Sequence, residues 1–441
     1  MNRRRYATIL LGLALPAMAE QFLQSLVGFV DMAFISKIGI DEVAAVGITN
    51  SILQIYFAFF LAISVAVSIM VSRQHGAGDA DSAKRIAHQA IWVTGFLGVS
   101  IGLASFFFAE SLFGWLGAEQ RVVDRGLIYF RIVTVPSVLV AMLFTIGAIF
   151  KGHGDTKTPL KVGLWMNAIH IILDYVLIFG VLFEGFGIIG AAIATVLARL
   201  FGIGMYGYSL YRRDYVSKRR RDWSLRLDDI VALSRLGIPV GIERLAMRLG
   251  QIIYFGMIVR LGTDVYAAHT LAGNFTIFVT VIGSGLAVAT TTLVGQQIGA
   301  NQFEEATKYV RTSIMLSVIL MTTMSLLVWL ASPFVAGLLI EERAVINLIT
   351  LALAIDIIAQ PATASVLSLT AALQAGGDTK FPMYVTLLGI WAIRVVGVYV
   401  LAVSLQFGLA GVWAAIAIDN YVRAGILFKR YRRGNWIRQL S

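Results

Sequence analysis

Two carboxylates sit inside runs of apolar residues. Asp31 stands in "SLVGFVDMAFISKIG", Ser25 to Gly39, with no Lys or Arg within five residues. Asp174 follows His170 by four residues, one helical turn, so the two share a face. An ionised carboxylate at the centre of a bilayer costs about 2.5–3.5 kcal/mol on insertion scales, and such groups mark ion pathways and proton relays. Each can take a proton from a gradient or hold a cation in its ionised form. Beside them, Gln24, Tyr129, Asn167 and Thr195 offer uncharged polar groups for a substrate cavity, and Pro16 offers a bend. No phosphate-loop pattern occurs, nor an H-E-x-x-H pair, and the five histidines are scattered. Cysteine is absent. The chemistry indicated is ion coupling, with H⁺ or Na⁺ as the driving ion and no metal, cofactor or enzymatic turnover.

These groups need elements to hold them. The chain has 441 residues, 58% hydrophobic and 14% charged, with mean hydropathy +0.80. That composition belongs to a polytopic membrane protein. Apolar stretches long enough to cross a bilayer fall near 10–36, 44–72, 86–110, 126–150, 159–182, 187–211, 230–260, 265–295, 309–332, 345–372, 382–404 and 408–429. The first, behind "MNRRRY", reads as an uncleaved span rather than a signal peptide.

The net charge of +11 follows topology and does not indicate nucleic acid. With the N-terminus inside, one side collects Arg3 to Arg5, Arg73, Lys84, Arg85, Lys151, Lys157, Lys161, the run from Arg212 to Arg226, Lys308, Arg311, Lys380 and the tail from Lys429. The other side holds only Lys37, Arg121, Arg125, Arg260 and Arg343. Both termini are therefore expected in the cytoplasm of a multi-pass protein of the cell (inner) membrane.

The chain repeats itself. Shifted by 223 residues, Pro16 meets Pro239, Glu20 meets Glu243, Gly39 meets Gly262, and Asp41 meets Asp264. "GDTKTP" at Gly154–Pro159 meets "GDTKFP" at Gly377–Pro382. A duplicated unit of six helices inserts both halves in one orientation, as in parallel-repeat transporters. The fold class expected is all-α: twelve transmembrane helices as two parallel six-helix repeats (6+6) around a central cleft, one lobe rocking against the other. The divisions expected are a lobe at 1–211, a basic cytoplasmic linker at 212–229, a lobe at 230–430 and a basic tail at 431–441.

The repeat also sorts the polar residues. Glu20 and Glu243 recur, so they serve the shared architecture. Asp31 meets Tyr254, Asp174 meets Gly397, His170 meets Ile393 and Asn167 meets Ile390, so these serve something done once, in the first half. Asp31 lies roughly 9 Å and Asp174 roughly 12 Å inside the outer ends of their spans, counted at 1.5 Å per residue. Pro16, Glu20, Gln24 and Asp31 fall within about 80° of arc, one polar stripe on helix 1. Asp419 and Arg423 are spaced to pair on one helix. Spacing leaves Arg199, Arg244, Arg248, Arg394 and Asp356 without assigned roles.

Together these features resemble the multidrug and toxic compound extrusion (MATE) family. The resemblance spans nearly the whole chain. It rests on "PAMAEQFLQSLVGFVD" in helix 1, the following "G-x-DEVAAVG" from Gly39 to Gly47, and the duplicated "GDTKxP" loops. It implies a secondary antiporter, a monomer in the lipid bilayer, exporting amphipathic, often cationic drugs or toxins in exchange for H⁺ or Na⁺. The DinF branch places acids in helices 1 and 5, which Asp31 and Asp174 match, and bends helix 1 at a proline, which Pro16 matches. That branch often carries Asn where this chain has His170, a departure that favours protons over sodium. The NorM branch carries an acid eight residues past the helix-7 proline, where this chain has Met247. A flippase for lipids or lipid-linked oligosaccharides is the alternative within the superfamily. A major facilitator would show a basic motif between helices 2 and 3 that "SRQHGAGDADSAKR" does not provide.

Overall fold

The computed structural model describes residues 3–180, 184–217, 223–434 and 436–437. Lys218 to Arg221 of the linker and Arg438 of the tail, counted above as cytoplasmic charge, lie outside the described residues. The helices are α1 Arg3–Ile35, α2 Ile40–Gly76, α3 Ala80–Trp115, α4 Gln120–Thr134, α5 Ser137–Gly152, α6 Lys157–Phe179 and α7 Gly187–Arg213 in the first half. The second half holds α8 Leu227–Val259, α9 Thr263–Phe275, α10 Ile277–Gly299, α11 Phe303–Leu339, α12 Arg343–Ala375, α13 Lys380–Leu387 and α14 Gly408–Arg432. Twelve crossings result when α4 joins α5, α9 joins α10, and α13 continues through π-helical turns at Leu388–Val395 and Val398–Ser404.

Three crossings are less regular than their apolar runs suggest. The span expected at 126–150 is α4 and α5, bent by 42° at a short break. Pro136 causes it: proline has no N–H to continue the ladder of α4, and its ring clashes with the preceding turn. The span expected at 265–295 interrupts at Thr276, between α9 and α10. The span at 382–404 widens into π-helix, whereas its repeat partner α6 is ordinary α-helix throughout. Each wide turn adds a residue and rotates every later side chain about the axis.

Contacts divide the chain into two units. One runs from Ala19 to Gly241; the other joins α1 up to Met18 with the chain from Ile242 onward. These contact boundaries fall inside α1 and α8, two or three residues past Pro16 and Pro239, whereas the divisions at 1–211 and 230–430 follow the sequence repeat. Packing explains why. Tyr6, Leu10 and Ala14 of α1 are buried among Leu286, Leu293, Ala306 and Tyr309, and the Tyr6 hydroxyl donates to Glu305 at 2.5 Å. Leu233 and Leu236 of α8 are buried among Ala66, Ile69, Ile86 and Ile149.

The two arrangements are reciprocal. Gly285 of α10 sits so close to α1 that a Cβ would overlap Met18. At the equivalent place, Gly237 and Gly241 of α8 face Ala62 of α2, with contacts of 3.4 Å. Small residues let helix backbones approach where lipid supplies no hydrophobic drive. The linker is also less detached than its charge suggests. Trp223 stacks on His88 with ring centroids 4.1 Å apart, Gln89 bonds Ser224 and Arg226, and Arg85 pairs with Asp229 at 2.9 Å.

Candidate functional site

The polar residues of the N-terminal unit converge from three helices. Asp31 comes from α1, His170 and Asp174 from α6, Thr195 and Arg199 from α7. His170 is the centre. Its Nε2 lies 3.1 Å from Thr195 Oγ1 and 3.5 Å from Asp174 Oδ2; its Nδ1 lies 3.8 Å from Asp31 Oδ1. Asp174 is almost wholly buried, while the Asp31 side chain keeps 30% exposure. Asp31 is thus the member of the group that meets the surroundings.

The hydrogen bonds fix the imidazole. Thr195 spends its hydroxyl hydrogen on the Ala191 carbonyl at 2.9 Å. The contact from His170 must then be donated by Nε2–H, and in the neutral ring Nδ1 is left as an acceptor. That acceptor faces Asp31 Oδ1, an oxygen with no hydrogen-bond partner. Asp174 Oδ1 also lacks one. Two acceptors 3.8 Å apart are a contact that a proton, or a cation, would turn from repulsive to attractive. Asp31, His170 and Asp174 can each turn one ligand atom to within 4.8 Å of the others, so the same group could hold a metal ion.

Arg199 completes the electrostatics. It faces Asp31 and His170, and its Nη1 donates to the Val133 carbonyl at 3.0 Å, just before the break at Pro136. The site therefore carries two carboxylates and one guanidinium. Sequence spacing held the signal: Arg199 is four residues past Thr195, on the same face of α7.

The remaining residues divide. Tyr129 is buried in an apolar cluster with Ile35, Ile178 and Ala191, so it walls the group. Asn167 is buried one turn before His170, and its Nδ2 has no partner. Gln24 is exposed, about two turns from Asp31, and is not brought into the group. Pro16 lies inside a helix assigned without interruption from Arg3 to Ile35. Asp356 is closed off by Ser325 and Gln360, which donate to it at 2.9 and 2.7 Å. The recurring acids are anchors: Glu20 pairs with Lys151 at 2.9 Å, and Glu243 accepts from Gln374 and Thr386, each at 3.1 Å.

The chain also has known relatives. Uncharacterized transporter YisQ of Bacillus subtilis is 28% identical over 98% of this chain and 95% of its own length. The probable multidrug resistance protein NorM of Thermotoga maritima is 26% identical, over 97% and 92%. The multidrug resistance protein PmpM of Pseudomonas aeruginosa is 25% identical, over 98% and 92%. Among solved structures, an aspartate-to-asparagine mutant of the Vibrio cholerae MATE transporter VcmN superposes with TM-score 0.92 at 22% identity, over 99% of both chains. A MATE structure in a bent conformation superposes with TM-score 0.90 at 24% identity, over 99% of this chain and 98% of that one. The MatE family model matches twice, at residues 16–176 and 239–400, once in each half of the repeat. With both halves matched, this twelve-helix membrane protein belongs to the MatE family of transporters.

Proposed function

We propose that the protein is a drug antiporter that exchanges amphipathic, often cationic compounds for protons by alternating access. The observation that carries the reading is the pair of facing acceptors, His170 Nδ1 and Asp31 Oδ1, with Asp174 behind them. One proton placed there joins the two groups. Arg199 supplies a positive charge beside them and opposes an added Na⁺ and an added proton alike, so the preference for protons rests on the His170 nitrogen, a poor ligand for Na⁺. Drug export is supported by the multidrug resistance names of the relatives. The cell membrane as location, cytoplasmic termini and a DinF-like branch belong to the same proposal.

The cycle follows from charge. Ionised Asp31 holds a cationic amphiphile through the unit's field. Proton entry at Asp31 removes that attraction. Rearrangement of α1 beside Pro16 then releases the substrate. Reconstitution in proteoliposomes, with pH and sodium gradients imposed separately, tests the ion. Export driven by ΔpH alone supports protons; export that needs Na⁺ at zero ΔpH overturns them. Asp31→Asn should abolish resistance in a pump-deficient strain at normal expression, and undiminished resistance would remove Asp31 from the mechanism.

The flippase reading has one observation in its favour, the two arginines Arg394 and Arg423 buried beside Asp419 in the C-terminal unit. Rescue of cell-wall or polysaccharide synthesis without drug efflux would select it.

A further inference from the structure

We propose that Arg199 is a positioning residue for the acidic group: the broken end of α4 holds its guanidinium off Asp31, and so keeps Asp31 open to a cationic ligand. The inference rests on the reading of Asp31 as the group that meets a cation. Every residue concerned lies in the unit from Ala19 to Gly241. The last four carbonyls of α4 have no partner within their own helix. Inside an apolar bundle each needs another donor. Arg131 O accepts from the Val135 N–H at 3.0 Å, and Thr134 O accepts from the Ser137 hydroxyl. Pro136 has no N–H to give Ile132. Val133 O accepts from Arg199 Nη1 at 3.0 Å. Of these donors, Arg199 alone comes from another helix and carries a charge.

The break is seated on α3. A Cβ at Gly98 would overlap the Val138 backbone, and one at Gly102 would overlap the Val135 carbonyl. The junction therefore has a fixed place, and the guanidinium is part of its hydrogen bonding. The same guanidinium faces Asp31, His170 and Tyr129, which stands one turn before Val133 on α4. Its hydrogen bond nonetheless goes to a neutral carbonyl, and Asp31 Oδ1 is left without a partner. A charge-assisted bond to a carboxylate is roughly twice as strong as one to a neutral acceptor. Against that pull stands the cost of stranding a buried carbonyl, about 1–3 kcal/mol. The open end of α4 thus withholds from Asp31 an internal cation that would occupy the ligand's place.

The repeat supplies the control. The residues 223 positions after Val133 and Pro136 are Asp356 and Ala359. Both lie inside α12, which runs without a break from Arg343 to Ala375 although it contains Pro361. A proline alone therefore does not open this helix. Phe186 and Gly187 begin α7 as Phe407 and Gly408 begin α14, and in that register Arg199 meets Asn420. Asp31 meets Tyr254. The carboxylate, the guanidinium and the broken helix occur together in one half of the molecule and are absent together from the other.

The test is equilibrium binding of tetraphenylphosphonium to the full chain in phosphatidylcholine nanodiscs. Pro136→Ala lets α4 run on into α5, so the Ser137 N–H takes the Val133 carbonyl and Arg199 is freed for Asp31. Binding should weaken at least about fivefold in Pro136→Ala, and by less than about twofold when Arg199→Gln is already present. Unchanged affinity in Pro136→Ala, or an equal loss in both backgrounds, overturns the proposal. Hydrogen exchange over residues 133–141 gives the reciprocal measurement, and it decides the matter if Pro136→Ala does not fold. Saturating tetraphenylphosphonium should slow exchange there at least about threefold in the wild type and leave it unchanged in Arg199→Gln. Exchange in the wild type that ignores the ligand overturns the proposal. Asp31→Asn separates the underlying reading. Undiminished tetraphenylphosphonium affinity in that variant would remove Asp31 as the cation's partner, and the proposal with it. Lost affinity there, together with an overturning result above, would fail Arg199 alone.

Discussion

Lys151 Nζ lies 2.9 Å from Glu20 Oε2, and the residues 223 positions later, Gln374 and Glu243, make the same contact at 3.1 Å. One anchor is an ion pair and the other a neutral donor on a carboxylate. Both attach a helix to its second packing unit two residues past the crossover at Met18 or Gly241. Thr386 gives Glu243 a second donor where the first half has Gly163. The C-terminal anchor therefore shows how the N-terminal one can be rebuilt. Lys151→Gln should cost less than about 1 kcal/mol, the range of a neutral hydrogen bond exchanged for a charged one. Lys151→Ala strands the Glu20 carboxylate and should cost about 3 kcal/mol. Unfolding midpoints of the two variants measure the difference, and equal losses would show that the anchor is not the contact that matters.

His170 decides which ion the acidic group favours. An imidazole nitrogen is a poor ligand for a hard monovalent cation, which prefers oxygen. His170→Asn replaces it with an amide oxygen beside Asp31 and Asp174. Transport by this variant should gain dependence on an imposed sodium gradient and lose part of its dependence on ΔpH. Vesicles assayed under each gradient alone report the change. A variant still driven by ΔpH alone, with unchanged rate, would mean His170 does not set the ion.

The loop between α5 and α6 gives a pH prediction. Burial, with His75 as a smaller contributor, pushes the His153 imidazole down to about 4. Its ring stacks on Tyr215 at 3.8 Å, and Nδ1 bonds the Ile149 carbonyl at 2.8 Å, while Asp155 partly offsets the shift. The unfolded chain binds a proton on this ring below about 6.5, and the folded chain does not. Stability is complete above about 6.5 and falls as pH drops towards 4, by up to about 3 kcal/mol from this group. His153→Phe keeps the stack and removes the titration. Unfolding midpoints at pH 7.5 and 5 should therefore fall more for the wild type than for the variant; equal falls would remove His153 as a cause.

Much of this was readable in the residue order, and the limits have physical causes. Hydropathy located twelve crossings because a bilayer demands long apolar runs. It could not see the bend at Pro136 as one crossing in two pieces, since hydropathy averages over the break. The offset of 223 singled out Asp31 and Asp174, and the structure brings both to His170 and Thr195. Gln24 lies exposed about two turns from Asp31, because angular position on a helix fixes a face but not the neighbours opposite. Arg394 and Arg199 stayed unassigned because their partners lie on other helices, and in Arg394's case because π-helical turns shift the register that the repeat would have predicted. The contact boundaries inside α1 and α8 were not legible for a related reason: nothing in a helix's own sequence says where its first half packs, and only Ala14, Gly237, Gly241 and Gly285 mark the close crossings.

That crossing yields a prediction with its rescue built in. Gly285→Ala places a Cβ against Met18 and 2.9 Å from the Ala14 carbonyl, a backbone atom that cannot turn aside. Overpacking of this kind costs about 1–3 kcal/mol. In the other half the alanine stands on α2, as Ala62, and the residue equivalent to Met18 is Gly241. Converting Met18→Gly in the Gly285→Ala background rebuilds the Ala62–Gly241 arrangement. Met18→Gly alone should destabilise, through the glycine within α1 and the gap it leaves. The double variant should be more stable than the two separate losses predict, with a coupling of about 1 kcal/mol or more in a double-mutant cycle. Strict additivity would show that the cost of Gly285→Ala comes from the Ala14 carbonyl and the α1 backbone, not from the Met18 side chain.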